Sequence, residues 1–266
     1  MTGRAGVGPV GSVGPAGREG RAGREGRAGR EGSAGQAAPM VADTSAAMIE
    51  ATALRRSFGA TLALAGASAS VRAGEVLAVM GPSGSGKSTL LHCMAGILVP
   101  DSGTVSYAGR DLAALSDRDR TALRRKDFGF VFQFGQLVPE LTAVENVALP
   151  LRLGGTPRRL AEATAREWLE RLEVDDVAAK RSGDMSGGQG QRVAVARALV
   201  AGPRAVFADE PTGALDSLNG ERVMTLLTAA AREAGAAVVL VTHEARVAAY
   251  ADREIVVRDG RVSGQE

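Results

Sequence analysis

The sequence predicts an α/β fold that contains one inserted helical region, and three observations support this prediction. After residue 48, short apolar runs alternate with stretches of helical periodicity, as a sheet covered by helices requires. Between residues 76 and 98, an apolar run passes through a glycine-rich loop into a helical stretch. From about residue 134 to 200 the pattern is mainly helical and interrupts the succession of strands. We therefore expect one α/β domain over residues 49–266, with a helical subdomain at about 134–200.

Individual elements follow from the apolar periodicity. The dipeptide Thr156-Pro157 is typical of a helix start, with threonine as the N-cap and proline as the first helical residue. In that helix Leu160, Thr164, Trp168 and Leu172 recur every four residues, as helical periodicity requires. Six apolar runs have the length of buried strands: Val76–Met80, Val105–Gly109, Phe128–Gln133, Ala205–Ala208, Ala237–Val241 and Ile255–Val257.

Composition and charge exclude several classes of protein. The single cysteine, Cys93, cannot form an intramolecular disulfide or a cysteine-built metal site. The net charge of +2 comes from residues 1–48, which carry six arginines and four acids, so the remaining chain is neutral. We therefore expect no nucleic-acid partner. No apolar run approaches the roughly 18 residues of a membrane span, and no secretory signal is evident, so we expect a cytoplasmic location.

The N-terminal region has a composition unlike that of the rest of the chain. From Gly8 to Gly35 every third residue is glycine, as in collagen, but the repeat is short and holds few prolines. Residues 1–48 are predicted to be a disordered Gly/Arg-rich tail, or translated upstream sequence if the native start is Met40 or Met48. A short triple helix is the less favoured alternative.

A phosphate-binding loop is the most specific motif of the sequence. Residues 81–88, GPSGSGKS, match G-x-x-x-x-G-K-[ST] at every fixed position, and they lie between a predicted strand and a predicted helix. Backbone N–H groups of such a loop surround phosphate oxygens, the lysine reaches the β- and γ-phosphates, and the final serine binds Mg²⁺. The predicted nucleotide-binding residues here are Gly81, Pro82, Ser83, Gly84, Ser85, Gly86, Lys87, Ser88 and Thr89.

Two adjacent acids complete the predicted phosphate and metal site. Four apolar residues lead into Asp209 and Glu210, as at the end of a buried strand. At that position Asp209 would hold Mg²⁺ through water, and Glu210 could act as the general base for an attacking water. A third segment, MSGGQ at residues 185–189, begins a helix with a serine and two glycines, and such an uncrowded helix start can bind an anion.

Together these residues resemble the ATP-binding subunit of ATP-binding cassette (ABC) transporters over essentially all of residues 49–266. GPSGSGKST resembles the P-loop of that family, MSGGQ its signature sequence, AVFADE its acidic strand, GALD at residues 213–216 its D-loop, and VTHE its switch histidine, His243. The resemblance implies a P-loop NTPase of ABC type, with a RecA-like core, an antiparallel β subdomain and the inserted helical subdomain. It also implies that the chain binds and hydrolyses ATP with Mg²⁺.

The resemblance implies roles for further residues. Gln133 would contact Mg²⁺ and the attacking water, His243 the γ-phosphate, and Phe58 the adenine, although the family more often has tyrosine there and Phe58 could simply pack in the core. Two subunits would pair head to tail when ATP binds, so that the signature segment of one chain meets the nucleotide of the other. The residues that would act across this homodimer are Ser186, Gly187, Gly188, Gln189 and Asp216.

The segment FQFGQLVPELTAVENVALPL, residues 132–151, resembles subunits of the macrolide-export and lipoprotein-release group. That likeness implies an integral membrane permease as partner and a location on the inner face of the cell membrane. Leu137, Val138, Pro139 and Leu141 could rim a groove for a permease helix, or could pack within the helical subdomain. Two alternatives stay open: an ABC subunit that regulates cell division through a permease-like partner, and a soluble ABC ATPase that does not engage in transport.

Overall fold

The computed structural model describes residues 47–263, which form two sheets and seven α-helices. The strands are β1 (Ala47–Phe58), β2 (Thr61–Arg72), β3 (Val76–Met80), β4 (Ser102–Tyr107), β5 (Arg110–Asp111), β6 (Phe128–Phe132), β7 (Ala205–Asp209), β8 (Ala237–Val241), β9 (Arg253–Arg258) and β10 (Arg261–Ser263). The α-helices are α1 (Lys87–Met94), α2 (Asp117–Asp127), α3 (Ala143–Leu153), α4 (Arg158–Arg171), α5 (Gly187–Leu199), α6 (Ser217–Glu233) and α7 (Ala245–Ala248). Short 3₁₀ turns lie at Asp175–Val177 and Ser182–Asp184.

The larger sheet has the strand order β10-β9-β3-β8-β7-β6, and the five strands from β9 to β6 are parallel. The central strands β3 and β8 are apolar throughout, and β7 is apolar up to Asp209, because both faces of the sheet are covered. Alternate residues enter different cores: Val206 and Ala208 pack with the helices of residues 143–200, whereas Ala205 and Phe207 pack toward α1 and the smaller sheet.

The smaller sheet is antiparallel, in the order β2-β1-β4-β5. It agrees with the antiparallel β region that the resemblance implied. Strand β1 already includes Ala47 and Met48, two residues that the sequence assigned to the tail. The remainder of the predicted tail lies outside the described residues. Within residues 47–263, no helix combines the length and the apolar composition needed to cross a bilayer.

The predicted start of α4 was one residue too early, because the helix begins at Arg158 and Pro157 is its N-cap. Of the residues that recur every four positions, Leu172 is buried and Trp168 packs against the core, whereas Leu160 is 59% exposed. The buried residues within the helix are Ala161, Ala165 and Leu169. Small alanines allow α4 to approach its neighbours closely, and this packing, which periodicity alone cannot reveal, selects the buried face.

Candidate functional site: one edge of the parallel sheet

The predicted catalytic groups meet at one edge of the larger sheet. Strands β3, β8, β7 and β6 are neighbours and run parallel, so their carboxyl ends lie side by side. The loops that leave these ends carry the phosphate loop, His243, the pair Asp209 and Glu210, and Gln133, respectively. This is the edge at which open parallel sheets bind their ligands.

Two glycines of the phosphate loop are required by packing within the chain. Gly81 has φ +141°, and a Cβ atom there would lie 2.1 Å from the backbone oxygen of Val257. Gly86 has φ +106°, and its Cβ would lie 2.4 Å from the backbone oxygen of Ala63. Any side chain at either position would collide with backbone. The loop is therefore locked between β2 and β9 independently of any phosphate.

Lys87 is hydrogen-bonded to the backbone at the start of the phosphate loop. Its side chain is buried, and Nζ donates hydrogen bonds of 2.9 Å to the backbone oxygens of Gly81 and Pro82. Helix α1 begins at Lys87 with no side-chain cap, so its first N–H groups face the loop without a side-chain acceptor. The buried Ser85 Oγ has no hydrogen-bond partner. A loop with an ammonium group, free N–H donors and an unpaired hydroxyl fits a nucleotide phosphate.

The proposed metal ligands lie beside each other. Ser88 Oγ donates a hydrogen bond of 3.1 Å to Asp209 Oδ1, at the point where α1 meets the end of β7. Burial raises the pKa of Asp209, while the bond from Ser88 opposes that shift. Among the described residues no group of three or more His, Cys, Asp or Glu side chains could hold a metal ion. The hydroxyl and carboxylate fit Mg²⁺, which usually takes one or two protein oxygens and completes its shell with water and phosphate.

We expect Asp209→Asn to leave the nucleotide-free protein at least as stable as the parent at pH 7, while abolishing Mg²⁺-dependent ATP hydrolysis. A carboxyl group whose folded pKa is raised loses its contribution to stability as pH rises through that pKa, so its neutral isostere relieves a penalty at neutral pH. Thermal melting without Mg²⁺ and ATPase assays with it test the two effects. A variant that melted clearly lower, or kept parental hydrolysis, would contradict this role for Asp209.

Glu210 and His243 form a pair on the adjacent loops. Glu210 Oε1 lies 3.2 Å from His243 Nδ1, and the Glu210 backbone N–H donates to Val241 O at 2.9 Å. Glu210 adopts φ +47°, a left-handed conformation that is strained for a glutamate and that turns its side chain away from the direction of Asp209. The two adjacent acids are therefore directed to different partners, Ser88 and His243.

Gln133 lies against the loop that follows Glu210, and Phe58 lies on the surface at the end of β1. The Gln133 amide lies against Gly213, where a Cβ atom would be 2.7 Å from Nε2. Phe58, at the end of β1, is 47% exposed rather than packed in the core. The Arg56 guanidinium lies 5.1 Å from the centre of its ring and is itself paired with Asp101 at 2.7 Å. The ring is thus held at the surface by a cation–π contact.

The segment MSGGQ forms a complete helix start. Ser186 is the N-cap of α5: its Oγ accepts from the Gln189 N–H, and Gln189 Oε1 accepts from the Ser186 N–H. This reciprocal cap holds the first turn of α5 although it contains three glycines, Gly187, Gly188 and Gly190. Asp216 similarly caps α6, through a hydrogen bond from the Asn219 N–H at 3.0 Å. Hydrogen bonding from that N–H holds the pKa of Asp216 below its usual value.

Sequence reasoning missed three polar residues that position the site: Gln191 and Asn146, which are buried, and Arg197, which is half-buried. Gln191 Nε2 donates to Phe132 O, Arg197 donates to the backbone oxygens of Gly135 and Gln136, and Asn146 bonds to residues 138–142. These side chains anchor the segment that follows Gln133 to α5 and α3. The only available signal was a polar residue on an otherwise apolar helical face, which does not reveal its partner.

Comparison with known proteins identifies the family. Residues 64–213 match the family described as "ABC transporter". The chain belongs to the ABC transporter family. Curated ABC relatives include the lipoprotein-releasing system ATP-binding protein LolD 2 of Caulobacter vibrioides, 46% identical over 76% of this chain and 89% of its own. LolD of Bordetella pertussis is 48% identical over 75% of this chain and 86% of its own.

Solved ABC structures agree with these relatives. The dimeric ATP-binding cassette MJ0796, in a post-hydrolysis state bound to ADP and Pi, shares 39% identity and superposes with a TM-score of 0.76. The match covers 82% of this chain and 98% of that one. The chain is therefore an ABC ATP-binding subunit of P-loop type and an ATPase that uses ATP and Mg²⁺.

Proposed function

We propose that this ABC subunit hydrolyses ATP to power a separate membrane permease of the lipoprotein-release type. The carrying observation is the meeting of the phosphate loop, Asp209, Glu210, Gln133 and His243 at one sheet edge, in a chain close to LolD proteins. The permease would hold the subunit on the inner face of the membrane. The likeness to LolD favours this function over cell-division control or a soluble ATPase.

Each side chain has a defined task in this proposal. Lys87 and the α1 N-terminus would bind the phosphates, and Phe58 would stack on the adenine. Ser88 and Gln133 would provide oxygen ligands for Mg²⁺, and Asp209 would hold the ion through water. Bound Mg²⁺ neutralises phosphate charge. Glu210 takes the proton of the attacking water, since its carboxylate faces away from the metal ligands. His243, held by Glu210, contacts the γ-phosphate from the end of β8.

Two copies are proposed to share each nucleotide. The Ser186 hydroxyl, Gly187, Gly188, Gln189 and Asp216 would lie against the ATP held by the partner's phosphate loop, as the dimeric form of MJ0796 suggests. The free N–H groups and positive dipole of the α5 N-terminus suit a γ-phosphate. ATP would then favour the closed pair, and loss of the γ-phosphate would release it.

A cleft beside β6 is the surface that we assign to permease binding. It has a volume of about 630 Å³ and lies between α2, β6, α3 and α5. The groove of Leu137, Val138, Pro139 and Leu141 stays a prediction: Leu137 packs against the core, whereas Pro139 is exposed and Val138 and Leu141 are half-buried. The apolar lining of the cleft comes from other residues: Phe128, Phe130, Phe132, Leu149, Pro150, Leu153, Ala198 and Ala201.

The cleft is also cationic. Arg124, Arg125 and Arg197 line it, and within residues 47–263 none of the three forms an ion pair. Arg124 and Arg197 donate to backbone oxygens instead, and burial lowers the pKa of Arg197. A permease helix with one apolar face and an acidic residue would complement this lining.

Arg125→Glu tests the permease assignment. We expect the amount of the chain retained on washed membranes that contain its permease to fall about tenfold, because a carboxylate would meet the acidic partner helix. The ATPase rate of the isolated subunit should not change, since Arg125 lies outside the nucleotide site. Arg159→Glu, an equal charge reversal on the exposed face of α4, is the control. Equal retention of both variants would count against docking in this cleft.

A further inference from the structure

We propose that Asn219 is a positioning residue that joins the start of α5 to Asp216 and so prepares the surface offered to the partner's nucleotide. This inference rests on the proposed function, in which both segments act across the dimer. Asn219 belongs to none of the recognised motifs: it lies in the first turn of α6, three residues after Asp216 and 31 residues after Gly188.

Asn219 holds the carboxylate of Asp216. Both of its carboxylate oxygens are bound by Asn219: Oδ1 accepts from the backbone N–H at 3.0 Å, and Oδ2 accepts from the side-chain Nδ2 at 2.6 Å. An N-cap carboxylate needs only the first of these bonds. The second fixes the rotation of the carboxylate, so the direction of Asp216 depends on the Asn219 side chain.

Asn219 also packs against α5, the helix that begins in the signature segment. A Cβ atom on Gly188 would lie 2.7 Å from Asn219 Oδ1 and 2.9 Å from its Cγ, so the glycine leaves the space that the amide fills. Beside it, Gly187 lies 3.4 Å, by the same measure, from Cδ2 of Leu215 in the loop before α6. The first turn of α5 thus rests directly on residues 215–219, with no side chain of its own between them.

The Asn219 amide therefore has two faces with different partners. Its NH₂ group binds Asp216, and its oxygen side packs on Gly188, so a displacement of either segment is transmitted to the other. Ser186, Gly187, Asp216 and Leu218 are all exposed around this contact, and Leu218 is 77% exposed. A flexible arrangement of these groups would have to be ordered at each encounter with a second subunit, at a cost in affinity.

The test compares dimer formation with nucleotide binding in the full chain carrying Glu210→Gln. Addition of Asn219→Ala should weaken ATP-driven dimerisation, measured by sedimentation, about tenfold, as expected for loss of a hydrogen bond to a charged group. Binding of a fluorescent ATP analogue to the monomer should not change, because the phosphate loop is untouched. Glu221→Ala, at an exposed position on the same helix, is the control.

Asn219→Asp distinguishes the positioning of Asp216 by a hydrogen bond from the simple filling of space beside Gly188. Aspartate has the shape of asparagine, but it would place a second carboxylate against Asp216 at the 2.6 Å contact. We expect it to weaken the dimer more than alanine does. If Asn219→Asp dimerises like the parent, or if Asn219→Ala alters monomer binding as much as dimerisation, the proposal is wrong. If Glu210→Gln itself forms no dimer with ATP, the shared site proposed above fails before Asn219 is tested.

Substitution of Gly188 supplies a second, independent measurement of its contact with Asn219. Gly188→Ala should lower the melting temperature of the nucleotide-free chain, because its Cβ collides with the Asn219 amide. The double variant with Asn219→Ala should recover most of that loss, since the space is then free. A double variant that melts no higher than Gly188→Ala alone would overturn the contact on which the proposal depends.

Discussion

Replacement of Glu210 by glutamine should reduce ATP hydrolysis at least about a hundredfold while leaving ATP binding intact, because a general base contributes roughly that factor or more. Glutamine keeps the size of the side chain and can still contact His243 Nδ1. Water activation alone is lost. With Mg²⁺ and ATP, the variant should therefore accumulate as a closed dimer, which release of inorganic phosphate and sedimentation together would show.

Asp209→Asn provides the matched comparison for this experiment. It alters the neighbouring acid, whose partner is Ser88 rather than His243, so it should impair Mg²⁺-dependent binding instead of trapping the dimer. Parental hydrolysis by Glu210→Gln would exclude Glu210 as the base. A variant that lost both hydrolysis and ATP binding would place Glu210 among the binding residues instead.

Mixing two inactive variants should restore activity if each nucleotide is shared between two chains. Lys87→Ala removes a phosphate ligand, and Ser186→Arg blocks the signature segment, so neither homodimer has an intact site. A heterodimer has one intact site out of two. Random pairing of equal amounts would then return up to about a quarter of the parental rate, given the two-fold symmetry of the pair.

The structure suggests a better substitution at Ser186 for this mixing experiment. Ser186 caps α5, so an arginine there also removes a helix cap, at a cost of about 1 kcal/mol. Ser186→Asp keeps a good capping residue but places a negative charge where the partner's γ-phosphate would lie. Recovery with both versions of the Ser186 variant supports the shared site. No recovery, with heterodimers demonstrated by two affinity tags, would show that each chain completes its own site.

The local elements of the site could be predicted because their chemistry is local. The loop of residues 81–88 needs its glycines, lysine and serine in sequence order, and the apolar run before Asp209 needs only its own composition. The cap of α5 is a contact between residues three apart, Ser186 and Gln189. Family resemblance supplied the tasks of Gln133 and His243, which their isolated residue types would not have identified.

Contacts between distant segments could not be predicted in this way. The recurrence of residues along α4 indicated a helix, but it did not reveal that Ala161 and Ala165 face the core. The hydrogen bonds by which Asn146 holds the 138–142 turn were likewise not evident from the sequence. In each case the packing depends on a residue whose contacts form only when the helices assemble.

By itself, the sequence determined that this chain carries a nucleotide phosphate site, since short-range spacing dictates the phosphate loop and the strand ends, and its resemblance to a family indicated the ABC type. Only the tertiary structure decided why Gly81 and Gly86 must be glycines, which cleft lies open beside β6, and how Asn219 fits against Gly188. Those features depend on backbones that approach within a few ångströms from remote parts of the chain. Close packing of this kind is a property of the assembled fold and not of any single segment.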